Sequence, residues 1–356
     1  MALAFVVLPP NYGSHRFFSR HTNDSFPADG FRRRSSTTAS QTQKLRLIQV
    51  GYSPNNMNQH IKTLCSEQRL EEAVSILQTM EQQDIPVESS SYARLLQTCA
   101  DLQALEQGKQ IHTYIVLNGL TENVYLGSKL LNMYVMCGSL VEARLLFDQI
   151  PKRTRFFWNM MTRAYSMSGL YNEALLLYDK MLLANVQPNR FTYPFVLKAC
   201  AYTKSIDLGR EIHEYAVDVG LDSDVFVGSA LVDMYVKCGF LEDARDVFDK
   251  MPEPNVAAWN AIITGYAQSG YGEEALSLLR EMQMMPEKPD LDTIVSALSA
   301  CATLQQGKEI HGFIIKSGYD SQDTVVTSLA SMYCKCGSVG DTPLKLDERP
   351  PRNVTA

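Results

Sequence analysis

The feature that most limits what this chain can fold into is a repeat with a step of 101 residues. The only two tryptophans, Trp158 and Trp259, are separated by that step, and each is followed by Asn. The same step relates His112 to His213, in GKQIH and GREIH, carries Cys99 to Cys200 and on to Cys301, and joins Cys137 to Cys238. After Cys301 the step falls to 98, because GKEIH follows that cysteine at closer range. Self-similarity at a fixed spacing signals a stacked repeat architecture rather than one closed core.

Each block divides again, into pieces of 35, 35 and 31 residues. The pieces fall at 54–88, 89–123 and 124–154, then 155–189, 190–224 and 225–255, then 256–290, 291–322 and a degenerate 323–353. Each reads as two short helices. In 155–189 the first helix is marked by Trp158, Met161 and Tyr165, spaced three to four apart. After the Ser168-Gly169 turn, Ala174, Leu175, Leu177, Tyr178 and Met181 mark the second. Val186-Gln187-Pro188-Asn189 is expected to end it, since proline disfavours helix in the residue before it. One such hairpin cannot bury its apolar face; stacked hairpins can, and they build a superhelix with a long concave surface.

Charge divides the chain differently. The first 50 residues hold seven basic and two acidic side chains and include FRRRSSTTASQTQ, which fits an organellar transit peptide. The other reading is a basic tail with no targeting role. The apolar run from Met1 to Pro10 is too short to span a membrane and is broken by Pro9 and Pro10, so no membrane segment is expected. Beyond residue 50 the body carries 26 basic and 37 acidic side chains. Nucleic-acid affinity comes largely from phosphate neutralisation. A body this acidic can serve it only if its Lys and Arg are gathered on one face. Six of the eight cysteines recur in register, which fits small buried side chains better than a disulfide framework.

The motifs themselves carry a family resemblance over residues 54–353. Trp158-Asn159…Met181…Pro188-Asn189 and Trp259-Asn260…Met282…Pro289-Asp290 alternate with FTYPFVLKACA and GREIH, and with ALVDMYVKCGFLEDARDVFDKMPEPN. This pattern resembles the plant pentatricopeptide repeat proteins of the subclass built from P, L and S motifs. The resemblance implies an all-α, right-handed α-solenoid of tandem helix-turn-helix repeats, each reading one base of single-stranded organellar RNA through its fifth and last side chains. Chloroplast is the expected compartment, mitochondrion the alternative.

Chemistry makes that reading intelligible. G and U present an N–H on the Watson–Crick edge, whereas A and C present a bare ring nitrogen; a closing Asp accepts from the former, and a closing Asn amide donates to the latter. Carried over by position, Asn159 with Asn189 favours C or U, Ser229 with Asn255 favours A, Asn260 with Asp290 favours U, and Thr327 with Asn353 favours A. Asn58 with Glu88 and Ser128 with Thr154 depart from the usual pairings and leave their bases open. Ala93, Pro194 and Val295 occupy the fifth position of the L-like units and cannot hydrogen-bond through their side chains. Second-position residues, among them Phe156, Phe226 and Ala257, would wedge bases apart, and the two phenylalanines could also stack on them. Structural alternatives stand beside these roles. Asn159 and Asn260 suit helix N-caps, and Asn189 and Asp290 suit turns after proline. His112, His213 and His311 fall once per block, which fits a structural histidine rather than a metal ligand.

No catalytic site, cofactor or metal is expected. A zinc deaminase-like domain, which ends many relatives, needs an H-x-E near a C-x-x-C, and neither occurs in this sequence. Cys334-Lys335-Cys336 is a C-x-C within a repeat helix. Pro343 stands where the last unit should form its second helix, and Val354-Thr355-Ala356 reads as the start of another repeat, so the array is expected to be cut short. The functional expectation is site recognition for C-to-U editing with a deaminase supplied in trans. RNA stabilisation or processing, and a protein-binding scaffold of tetratricopeptide type, are the alternatives.

Overall fold

A computed structural model describes residues 53–337. The leader 1–50, Pro343, Asn353 and the repeat start at 354–356 lie outside the described residues. Within them the chain forms seventeen α-helices and no strand. The first block contains α1 (Pro54–Ser66), α2 (Leu70–Gln82), α3 (Ser89–Asp101), α4 (Leu105–Leu117), α5 (Val124–Met136) and α6 (Leu140–Gln149). The second contains α7 (Arg155–Met167), α8 (Tyr171–Leu183), α9 (Tyr193–Thr203), α10 (Ile206–Asp218), α11 (Val225–Cys238) and α12 (Leu241–Lys250). The third contains α13 (Val256–Gln268), α14 (Gly272–Met284), α15 (Leu291–Ala300), α16 (Leu304–Ser317) and α17 (Asp323–Lys335).

Apolar spacing decides which stripe of each helix is buried. α7 buries Trp158, Met161 and Tyr165, and α8 buries Ala174, Leu177, Tyr178 and Met181. Gly169 joins them at φ 77°, a conformation that a residue without Cβ adopts at no steric cost. The end of α8 differs from the sequence expectation. The helix stops at Leu183, well before Pro188. Asn185 turns left-handed at φ 53°, and the Val186 N–H donates to Met181 O at 3.1 Å. This closing bond ends the helix before the proline can act.

First helices of successive hairpins pack in one unbroken row, from α1 through the odd-numbered helices to α17. Each second helix packs on its own partner and on the first helix that follows. The row in closer contact forms the inside of the stack, and the second helices form its outer layer.

One interface is built the same way in every block. Gly209 of α10 faces Met234 of α11 so closely that a Cβ there would sit 2.7 Å from the sulfur; Gly108 with Met133 and Gly307 with Met332 repeat the contact. Beside it, His213 Nδ1 lies 3.0 Å from the Tyr235 hydroxyl, and His112–Tyr134 and His311–Tyr333 each lie at 2.8 Å. These histidines pin one repeat to the next. Phe147 meets Trp158 edge-on with centroids 4.9 Å apart, and Phe248 meets Trp259 at 4.7 Å.

The in-register cysteines split into two classes. Cys99, Cys200 and Cys301 are buried, while Cys137, Cys238 and Cys336 are half-buried. Burial pushes the Cys99 and Cys200 thiols up to about 12 and Cys301 to about 11, which keeps them unreactive. The shortened third block is repaired by a new cap. Thr303 and Gln306 form a capping box, with Thr303 N–H donating to Gln306 Oε1 at 3.0 Å, so α16 starts cleanly after the lost residues.

Candidate nucleic-acid interface

The fifth residue of a unit lies one turn into its first helix, and the closing residue lies just before the next first helix. Stacking brings the two together in the second and third blocks. Asn159 Nδ2 donates to Asn189 Oδ1 at 3.0 Å. Asn260 Nδ2 lies 3.0 Å from both carboxylate oxygens of Asp290. A third side chain locks each pair. Thr192 Oγ1 donates to Asn159 Oδ1 at 2.7 Å, and Thr293 Oγ1 donates to Asn260 Oδ1. Ser91 Oγ holds Asn58 Oδ1 in the same way at 2.7 Å. The sequence reading missed these three residues, although Ser91, Thr192 and Thr293 also keep the 101-residue step.

The capping alternative divides. Asn159 and Asn260 lie inside α7 and α13, so they are not caps. Asp290 is the N-cap of α15, in a capping box with Thr293, and Asn189 Oδ1 accepts from Phe191 N–H at 3.0 Å. The closing residues thus hold the next repeat and meet the fifth residue with the same side chain. Asn189 keeps its NH₂ free to donate. Asp290 keeps spare acceptor capacity. Burial works against its ionisation, but hydrogen bonds from the Thr293 backbone and side chain and from Asn260 outweigh it and hold the carboxyl below its usual range. Ser229 Oγ lies 2.8 Å from Asn255 Oδ1, which also accepts from Ala258 N–H at 2.9 Å.

Other pairs are not brought together. Asn58 is buried; its amide donates to Pro54 O and Pro86 O, and its oxygen accepts from Glu88 N–H. The Glu88 carboxylate turns instead to Lys62 at 2.6 Å. Ser128 Oγ donates to Tyr125 O at 2.7 Å, and no bond joins it to exposed Thr154 among the described residues. Thr327 Oγ1 donates to Asp323 O at 2.8 Å; its partner Asn353 lies outside the described residues. Ala93 is buried, and Pro194 and Val295 are half-buried.

Second positions project outward. Phe156 is 56% and Phe226 60% exposed, and Ala257 is exposed too. Tyr125 and Phe191 stand at the same position of their units and are also exposed. Phe156, Asn159, Arg163 and Phe191 border one open groove of about 590 Å³. A planar ring entering it would meet aromatic faces from two successive repeats and the Asn159 amide.

Charge is divided between the two layers. The described first helices carry eight basic and four acidic side chains, the second helices nine basic and twenty acidic. The bases are thus shared almost equally between the layers, and it is the acids that are segregated, on the second helices. The inner row is left with a surplus of positive charge without its Lys and Arg being gathered there, a different arrangement from the one the sequence reading required.

The sequence matches the PPR repeat family over residues 153–201 and 254–303, and the PPR repeat over 229–256. It is 33% identical to a chloroplastic pentatricopeptide repeat-containing protein of Arabidopsis thaliana, covering 96% of this chain and 63% of the relative. It is 38% identical to the chloroplastic protein CRR2 of the same plant, covering 79% and 44%. A mitochondrial relative is 33% identical, covering 87% and 50%. The chain spans less than two thirds of the length of each. Among solved structures, the pentatricopeptide repeat protein PPR10 in complex with an 18-nucleotide psaJ RNA element superposes with a TM-score of 0.65 at 17% identity, covering 83% of this chain and 45% of that one.

Proposed function

We propose, from the premise that this chain belongs to the pentatricopeptide repeat family, that it binds single-stranded RNA of an organelle and reads it one nucleotide per repeat. The observation that carries the reading is the meeting of Asn260 and Asp290 at 3.0 Å, with the Asn159–Asn189 pair repeating it one block earlier. A carboxylate held ionised accepts the N3–H of uridine and repels the bare N3 of cytidine. The free NH₂ of Asn189 donates to a pyrimidine acceptor, and Ser229 with Asn255 suits adenine. The readout thus runs pyrimidine at Asn159, adenine at Ser229 and uridine at Asn260, with an unread nucleotide at the intervening L-like unit. Phe156 and Phe226 separate and stack the bases.

The alternation of 35, 35 and 31 residues supports the P, L and S subclass, in which site recognition for C-to-U editing by a deaminase in trans is the usual role. The chloroplastic names of several relatives support that compartment. A peptide-binding scaffold is less well supported, because the inner row is the basic layer of an acidic body. Equilibrium binding decides the matter. An RNA carrying the read core should bind at least about tenfold tighter than a scrambled RNA of equal composition. Equal affinity for both would refute sequence readout.

A further inference from the structure

The basic side chains of the inner row are not spread evenly along it. From α1 to α9 the first helices carry Lys62, Arg94, Lys129, Arg155, Arg163 and Lys198 against the single acid Asp101. From α11 to α17 they carry Lys237 and Lys335 against Asp233, Asp292 and Asp323. Arg94, Lys129, Arg163 and Lys198 recur at intervals of 35, 34 and 35 residues, one per repeat.

Among the described residues none of these four has an ion-pair partner. Lys129 Nζ donates to Gln97 Oε1 at 3.1 Å, Arg163 lies 5.7 Å from the Phe195 centroid, and Lys198 Nζ lies 3.7 Å from the Met167 sulfur. The outer layer differs: Arg144, Arg210, Arg245 and Arg280 all pair with carboxylates at 2.7–3.0 Å. In the later inner row, Lys237 is tied to Asp233 at 2.8 Å. The free cations also border the grooves. Arg94 and Lys129 line one of about 550 Å³ with Tyr125 and the Glu88-paired Lys62, and Arg163 lines the next with Phe156 and Phe191. Exposed aromatics at Tyr125, Phe156 and Phe191 fall in three successive repeats of this same stretch, and Phe226 follows in the next.

We infer that α3 to α9 form a backbone clamp for single-stranded RNA, in which Arg94, Lys129, Arg163 and Lys198 each meet one phosphate, independently of base identity, while the aromatics stack the bases. The spacing matches a strand that advances one nucleotide, and so one phosphate, per repeat. Of the three reading pairs, Asn159–Asn189 lies within this stretch, while Ser229–Asn255 and Asn260–Asp290 lie downstream, where the first helices carry no unpaired cation apart from Lys335 among the described residues. Phosphate grip is thus assigned to the first stretch of the surface, and two of the three read nucleotides to the second. The L-like repeats at 89–123 and 190–224, whose fifth residues are the buried Ala93 and half-buried Pro194, contribute through Arg94 and Lys198 to the backbone.

This inference rests on the RNA-binding reading, and the test separates the two. The full chain is titrated with oligouridine and with the read-core RNA at several salt concentrations. Two folded variants follow: Arg94→Gln/Lys129→Gln/Arg163→Gln/Lys198→Gln, and an outer-layer control of equal charge, Lys109→Gln/Arg144→Gln/Lys180→Gln/Arg210→Gln. Each phosphate contact on a single strand contributes about 0.7 to the slope of log affinity against log salt. The inner variant should lower that slope by about 3 and weaken both RNAs by the same factor, at least about tenfold, with the ratio between them unchanged. The control should keep the parent slope. An inner variant with the parent slope, or a control that loses as much, overturns the clamp and leaves the reading intact. A parent that binds neither RNA overturns both.

Discussion

The first and the seventh repeat begin from the same fifth residue and end in different structures. Asn58 and Asn260 occupy equivalent positions, and each is held by a hydroxyl of the next repeat, Ser91 or Thr293. Asn260 meets the closing Asp290 through both carboxylate oxygens. Asn58 meets only the backbone N–H of its closing residue, because Glu88 is one methylene longer and its carboxylate reaches Lys62. Lys62 and Ser90 together hold that carboxyl below its usual range. One CH₂ thus separates a repeat that presents an acceptor beside its fifth residue from one that spends its acid on a neighbouring cation.

The largest way to break this contrast is Asp290→Glu. The longer side chain should leave Asn260 as Glu88 leaves Asn58. Preference for uridine over cytidine at that nucleotide should fall by about 10- to 100-fold, the range set by losing one good paired contact. Binding to RNAs that differ only there measures it. The substitution also weakens the N-cap of α15, at a cost of about 1 kcal/mol in thermal or chemical unfolding. Next comes the reverse exchange. Glu88→Asp should release Lys62, bring the carboxylate to Asn58 and create a uridine preference at the first nucleotide of up to about tenfold, equivalent to about 1.4 kcal/mol. No new preference would mean that burial of Asn58, not the length of Glu88, silences the first repeat.

Much of this was legible in the sequence, and the limit is instructive. The 101-residue step and the spacing of Trp158, Met161 and Tyr165 were enough for stacked helical pairs, because apolar periodicity directly fixes the buried stripe. The end of α8 was not, since a left-handed Asn185 is a local backbone choice that no periodicity encodes. Position within the repeat points to the pairs Asn159–Asn189 and Asn260–Asp290, but not to the hydroxyls that orient them, because Thr192 and Thr293 act on the fifth residue from the following repeat. The inner cation row was hidden for a different reason. Net charge sums over both layers, and twenty acids on the second helices mask eight bases on the first.

Smaller effects sharpen the comparison by asking whether the blocks differ in stacking as well as in reading. Tyr134→Phe in the first block and Tyr235→Phe in the second each remove one histidine bond of nearly equal length. Each should cost about 1 kcal/mol in denaturant unfolding; unequal losses would show that the blocks are not built alike. Acid should reveal the same symmetry. Burial lowers the pKa of His112 and His213, with neighbouring Lys250 adding to the effect at His213. The unfolded chain therefore takes up protons first, and stability rises with pH through the window below about 6.5. The thermal midpoint should fall as pH is lowered from about 7 to about 5. The doubly substituted His112→Gln/His213→Gln chain should lose part of that slope.

The central claim is that the fifth and closing side chains face a nucleotide together, and exchanging the fifth residue tests it most directly. Asn260→Thr beside an intact Asp290 should move the preferred base at that nucleotide from uridine to guanosine in a four-way competition of otherwise identical RNAs, because the closing acid still requires an N–H donor while the smaller hydroxyl admits a purine. An unchanged ranking of the four bases, in a variant that folds and binds RNA, would contradict it.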